Sequence, residues 1–112
     1  MTFLTTLWWL LVAHAFTDYV FQTSEMVYLK KPGTGRSNDK AGPWWWWMVA
    51  HGLINGAGVG LVTGSTPLAV CETVHHALTD YGKCRGWLTA NMDQASHLLV
   101  KVLYAGVVAY GR

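Results

Sequence analysis

The chain has 112 residues and a mass of 12.4 kDa, which fits one domain over residues 1–112. Charged residues make up 12% against 52% hydrophobic, about half the roughly 25% charge of an ordinary soluble domain, so disorder is excluded. Eight Lys and Arg against six Asp and Glu leave a net charge of +2, which excludes the basic surface that a nucleic-acid binder needs to displace counterions.

Aromatic residues stand at 13%, with seven Trp, an excess that a membrane–water interface favours. Mean hydropathy is +0.22, low for an integral membrane protein, on a scale that marks down Trp, Gly and His. From Phe3 the first apolar segment runs to Gln22 and on through Tyr28, long enough as a helix to cross about 30 Å of hydrocarbon. It has no basic start and no small-residue cleavage site, unlike a signal peptide. Residues 30–43, KKPGTGRSNDKAGP, read as a basic, exposed loop. A second span begins at Trp44 and ends near Gly64, and Pro67 suits the first turn of a third helix. A fourth follows the corner at Arg85, Gly86 and Trp87.

These elements predict an all-α fold, an antiparallel up-down-up-down four-helix transmembrane bundle with helices at about 3–29, 44–64, 67–84 and 91–110. The basic connectors at 30–43 and 83–85 fall on one side, which the positive-inside rule makes cytoplasmic, with both termini outside. Trp44 to Trp47 and Trp87 then form an interfacial belt, and the lipid bilayer is the first partner. A soluble four-helix bundle is the alternative, because the third helix is polar enough to sit in water.

The chemistry lies in a repeated spacing. His14, Asp18 and Gln22 stand four apart on the first helix, as do Glu72, His76 and Asp80 on the third and Asp93, His97 and Lys101 on the fourth. Steps of four stack side chains along one stripe of a helix, and a His and Asp so placed can aim an imidazole nitrogen and a carboxylate oxygen at one point. Antiparallel packing brings His14, Asp18, His76, Asp80, Asp93 and His97 to the same end of the bundle as ligands, with the lone His51 there either a further ligand or a core histidine. Imidazole and carboxylate ligands suit Zn, Fe or Mn, and this many candidates serve one or two ions. The bland reading is a hydrogen-bonded polar core.

Glu72 and Lys101 read as an ion pair, and His75, turned about 100° from His76, as a spectator or a group that supports the ligands from behind. Gln22, Gln94 and Asn55 are candidates to orient ligands. Cys71 and Cys84 are free thiols. Gly52, Gly56 and Gly60 give the second helix a small-residue face for packing inside the bundle or for a homo-oligomer.

The segments HAFTDYVFQ (14–22), AHG (50–52), ETVHHALTDYGKCR (72–85) and MDQASHLL (92–99) resemble a family of small bacterial and phage-encoded membrane proteins of unknown function. Its pattern is approximately HLxxDFxxQ, a lone His, HxxxDxxK and a closing DQxxH. His14, Asp18 and Gln22 match the first motif, His51 the second, His76, Asp80 and Lys83 the third, and Asp93, Gln94 and His97 the last. The resemblance covers nearly the whole chain outside 30–43 and implies a bacterial inner-membrane location. It extends distantly to membrane-bound proteins described as metal-dependent hydrolases.

Three functions follow as expectations. The first is a metal site near the cytoplasmic face that activates water against a lipid-linked or phosphoester substrate, with Lys83 touching phosphate and Gln22 or Gln94 placing water. The second is a non-enzymatic membrane or virion-associated protein whose polar or metal cluster stabilises the bundle. The third is ion or proton transport along the buried polar groups.

Overall fold

The computed structural model describes residues 1–32 and 42–111. Thr2 caps the first helix, α1 (Phe3–Ala15), by accepting the Thr5 N–H. The chain widens directly into a π-helical turn, Phe16–Val20, and resumes as the short α2 (Ser24–Leu29), capped by the Thr23 hydroxyl. Pro43 precedes α3 (Trp44–Thr63), which ends at Gly64 in the left-handed conformation, φ 68°, which residues with a side chain rarely adopt. Ser65 caps α4 (Thr66–Cys84), with Pro67 in its first turn, and Thr89 caps α5 (Ala90–Tyr110).

The fold is all-helical, with α1, α3, α4 and α5 as its long members. Phe3 stacks on Tyr110 with ring centroids 6.3 Å apart, which sets the start of α1 against the end of α5. One end of the molecule has an apolar core of Leu10, Val59, Tyr104 and Ala105, flanked by Phe3, Leu7, Val62, Leu68 and Val100. At the other end the buried side chains are polar, among them His14, Asp18, His51, His76, Asp80, Asp93 and His97. Many large apolar side chains, including Leu53, Leu61, Leu78 and Leu99, lie exposed on the outside.

Two expectations are corrected here. The single helix over 3–29 is instead α1, the π turn and α2. The Phe21 N–H reaches the Phe16 carbonyl at 2.8 Å, five residues back, and the Thr17 hydroxyl lies 3.0 Å from the Ala13 carbonyl and 2.8 Å from Asn55 Oδ1.

The second correction is the transmembrane bundle. Among the described residues no helix is long and apolar enough to cross a membrane. Helix α1 has 13 residues, about 20 Å at 1.5 Å per residue against about 30 Å of hydrocarbon. Helices α4 and α5 carry Glu72, Asp80, Lys83, Asp93 and Lys101, and α3 interleaves its apolar residues with glycines, His51 and Asn55. The transmembrane assignment therefore falls, and with it the integral location in a bacterial inner membrane, the outside termini and the cytoplasmic basic loops. Of the 30–43 loop, residues 33–41 lie outside the described residues; Lys30, read as exposed, is buried at the end of α2. Of the Trp residues expected as a belt, Trp44 and Trp87 meet Tyr81, at 5.4 Å and 5.6 Å between ring centroids, while Trp45 and Trp46 lie exposed against each other.

The glycine face of α3 is covered by α4. A Cβ on Gly52 would lie 3.0 Å from the Thr73 carbonyl oxygen, one on Gly60 3.1 Å from the Ala69 Cβ, and one on Gly56 2.0 Å from Thr73 Oγ1 and 2.7 Å from the Ala69 carbonyl. The last contact includes backbone, which cannot swing away, so the two helices would have to separate. Gly56→Ala is expected to lower stability by about 1–3 kcal/mol through overpacking. Gly106→Ala, with nothing within 4 Å of the new Cβ, is expected to be neutral or stabilising by up to about 1 kcal/mol. Urea denaturation of the two variants beside wild type checks the contrast.

Candidate metal centre

Three side chains from three elements converge at the polar end. Asp18 comes from the π turn, His51 from the first half of α3 and His76 from α4. Asp18 Oδ1 lies 3.2 Å from His51 Nε2 and 3.3 Å from His76 Nε2, and the two nitrogens are 3.0 Å apart. All three residues are buried, and they form a group able to hold a metal ion. Ligands placed tetrahedrally at about 2.0–2.1 Å from an ion such as zinc stand about 3.3–3.4 Å from one another. The triangle has nearly those edges. Two imidazole lone pairs and a carboxylate this close repel unless a proton or a cation lies between them.

The neighbours hold this triangle in shape. Gln94 Nε2 donates to Asp18 Oδ2 at 2.8 Å, and its Oε1 lies 3.1 Å from His14 Nε2. Asn55 donates to the His51 carbonyl at 2.9 Å and accepts from the Thr17 hydroxyl, which joins α3 to the π turn beside Asp18. Behind His76, Glu72 Oε1 stands 3.4 Å from Nδ1, a carboxylate backing a ligand imidazole. His97 stacks on His76 with centroids 4.0 Å apart.

The charges are matched one by one. Lys101 donates to Glu72 at 2.6 Å. Lys30 donates to Asp80 and to Gln22, and Lys83 lies 3.3 Å from Asp80 and 3.6 Å from Asp93. Asp18 differs: among the described residues its ion-pair partners are His14, His51 and His76, with no lysine. Burial pushes its carboxyl up, but the bonds from His51, His76 and Gln94 outweigh burial and hold it well below the usual carboxylate range. Burial likewise lowers His51 and His14. At His76 burial is outweighed by Asp18 and Glu72, which raise it. At Asp80 burial is outweighed by Lys30 and Lys83, which lower it.

The remaining sequence candidates sit around the triangle. His14 Nε2 is 3.6 Å from Asp18 Oδ2 and bonded to Gln94. Asp80 Oδ2 is 3.6 Å from His51 Nε2 but is held by Lys30. Asp93 Oδ1 and His97 Nε2 pair at 3.2 Å, on the far side of the His76 ring. Gln22 donates to the Asp18 carbonyl at 3.1 Å, which stiffens the π turn. Lys83 is tied to its two carboxylates and is one-third exposed. Sequence reasoning missed Lys30; its signal was the apolar run Met26 to Leu29 just before it. His75 Nε2 lies 3.0 Å from Ser96 Oγ, and the residue groups with Glu72 and His97.

Compared with protein-family models, with curated proteins and with solved structures, the chain finds no match.

Breaking the buried Lys101–Glu72 pair should be costly. Lys101→Met leaves a fully buried carboxylate without its ammonium and is expected to cost about 3–5 kcal/mol. Adding Glu72→Gln should recover part of that loss, because the uncompensated charge is gone. Denaturation in the presence of a chelator measures both, and equal stability of single and double variants would contradict the pairing.

Proposed function

We propose that the chain is a metal-binding protein that holds a divalent transition ion (Zn, Fe or Mn) between Asp18, His51 and His76 and uses it to hydrolyse a phosphoester. The carrying observation is the triangle of Asp18 Oδ1, His51 Nε2 and His76 Nε2, with edges of 3.2, 3.3 and 3.0 Å, around a buried carboxylate that has no lysine partner among the described residues. A cation there balances the carboxylate and keeps the lone pairs apart. Two imidazoles and one carboxylate suit these ions.

The hydrolytic reading is supported by the ligand number. Sites with three protein ligands belong to the catalytic type, in which a further position takes water, whereas structural zinc sites close with four. An ion so held acidifies its water to a pKa of about 7. Gln94 fixes the orientation of Asp18 through its second oxygen, and Lys83, one-third exposed beside Asp80 and Asp93, is the cation nearest to solvent in this cluster. A non-enzymatic reading is favoured by one observation: the ligands come from three separate elements and are all buried, so an ion would fasten the π turn to α3 and α4.

Protein purified without chelator and then loaded with zinc(II), manganese(II) or iron(II) is expected to retain one tightly held equivalent of at least one of them. Asp18→Asn, His51→Ala and His76→Ala should each lose it. Binding to the native state alone raises stability by about 2.7 kcal/mol at free metal one hundred times Kd, so the thermal midpoint should rise with metal in wild type and stay fixed in the variants. Failure of every ion to bind would overturn the metal reading. With metal bound, turnover of chromogenic phosphomonoesters and diesters supports hydrolysis; a raised midpoint without turnover supports the structural role.

A further inference from the structure

A second group of ligating side chains lies on the other side of His76. Glu72 and His75 come from α4 and His97 from α5, and one ligand atom of each falls within 4.8 Å of the other two. Glu72 and His97 are fully buried, and His75 is half-buried towards the surface.

Among the described residues each of the three carries a buried atom without a well-directed hydrogen bond: Glu72 Oε2, His75 Nδ1 and His97 Nδ1, with the Tyr104 hydroxyl also facing Glu72. The Glu72 oxygen is telling, because its twin Oε1 receives Lys101 and faces His76 Nδ1. A buried polar atom without a partner forfeits its solvation, and native folds rarely leave several together. Three on one carboxylate and two imidazoles make a ligand set of the same chemistry as the first triangle.

We infer that Glu72, His75 and His97 form a second site for a divalent transition-metal ion, weaker than the first. The His75 and His97 rings stand edge to face with centroids 5.5 Å apart. Lys101, 2.6 Å from Glu72 Oε1, opposes a second positive charge. Because His75 is half-buried, the ion meets water on that side. Glu72 joins the two sites, since its Oε1 stands 3.4 Å from Nδ1 of the ligand His76 and the residue belongs to the second group, so filling one site weakens the other through their like charges. The second site stands on residues outside the first triangle, so the two assignments can fail separately.

The test is a zinc(II) titration of the full chain, followed by calorimetry and by elemental analysis after desalting, for wild type, His75→Ala, His75→Gln and His51→Ala. Wild type is expected to take up two equivalents in distinct steps. Both His75 variants should lose the weaker step and keep the tighter one, and His51→Ala should lose the tighter step and keep the weaker. His75→Gln keeps a side chain able to bond Ser96, so a folded protein lacking the weaker step excludes a packing artefact. A wild-type isotherm with one step, or His75 variants whose isotherms superimpose on wild type, would overturn the second site while leaving the first intact. Loss of both steps in the two His75 variants would overturn the division into two sites.

Discussion

A carboxylate withdrawn from water must meet an opposite charge or give up its own, and this requirement organises the polar end of the molecule. Glu72, Asp80 and Asp93 meet lysines from elsewhere in the chain. Asp18 meets imidazoles and an amide. The arrangement around it depends on how closely two helices approach. Because Gly52 and Gly56 let α4 lie directly against the backbone of α3, His51 and His76 come within 3.0 Å of each other. A wider gap between these helices would leave Asp18 facing one imidazole.

Much of this was legible in the sequence because a step of four has one meaning on a helix. The stripes through His14 and Asp18, through His76 and Asp80, and through Asp93 and His97 are all buried at one end, where short turns between antiparallel helices must bring them. The Glu72 and Lys101 pair could be read by setting α4 against α5. Selection within the cluster could not. Whether His14 or His51 meets Asp18 from the side that matters depends on the π turn, and no residue pattern announces a change from four to five in backbone spacing. Lys30 was hidden for a different reason, since it opens a segment rich in Gly and Pro although its ammonium turns inward to Asp80.

The membrane reading failed where two quantities were merged. Segment hydropathy counts how apolar a stretch is and says nothing about which face carries the apolar groups. In α4, Val70, Val74 and Leu78 are exposed while Glu72, His76 and Asp80 are buried. A helix so divided has the length of a span without its apolarity. A polar interior also restricts how the helices can fit together, because each buried donor or charge requires a particular partner, whereas apolar contacts tolerate many registers.

The π turn at Phe16–Val20 carries a constraint of another kind. It accommodates its extra residue by widening, and removal of one residue there other than Asp18 would let the segment close into an ordinary helix. The chain on one side would then rotate by about 100° relative to the other, carrying either Asp18 away from α3 or Leu10 out of the apolar core. Chain length between Ala15 and Phe21 is therefore as binding as the identity of any ligand. An insertion or deletion in those few positions would undo the site while leaving every ligating residue in place.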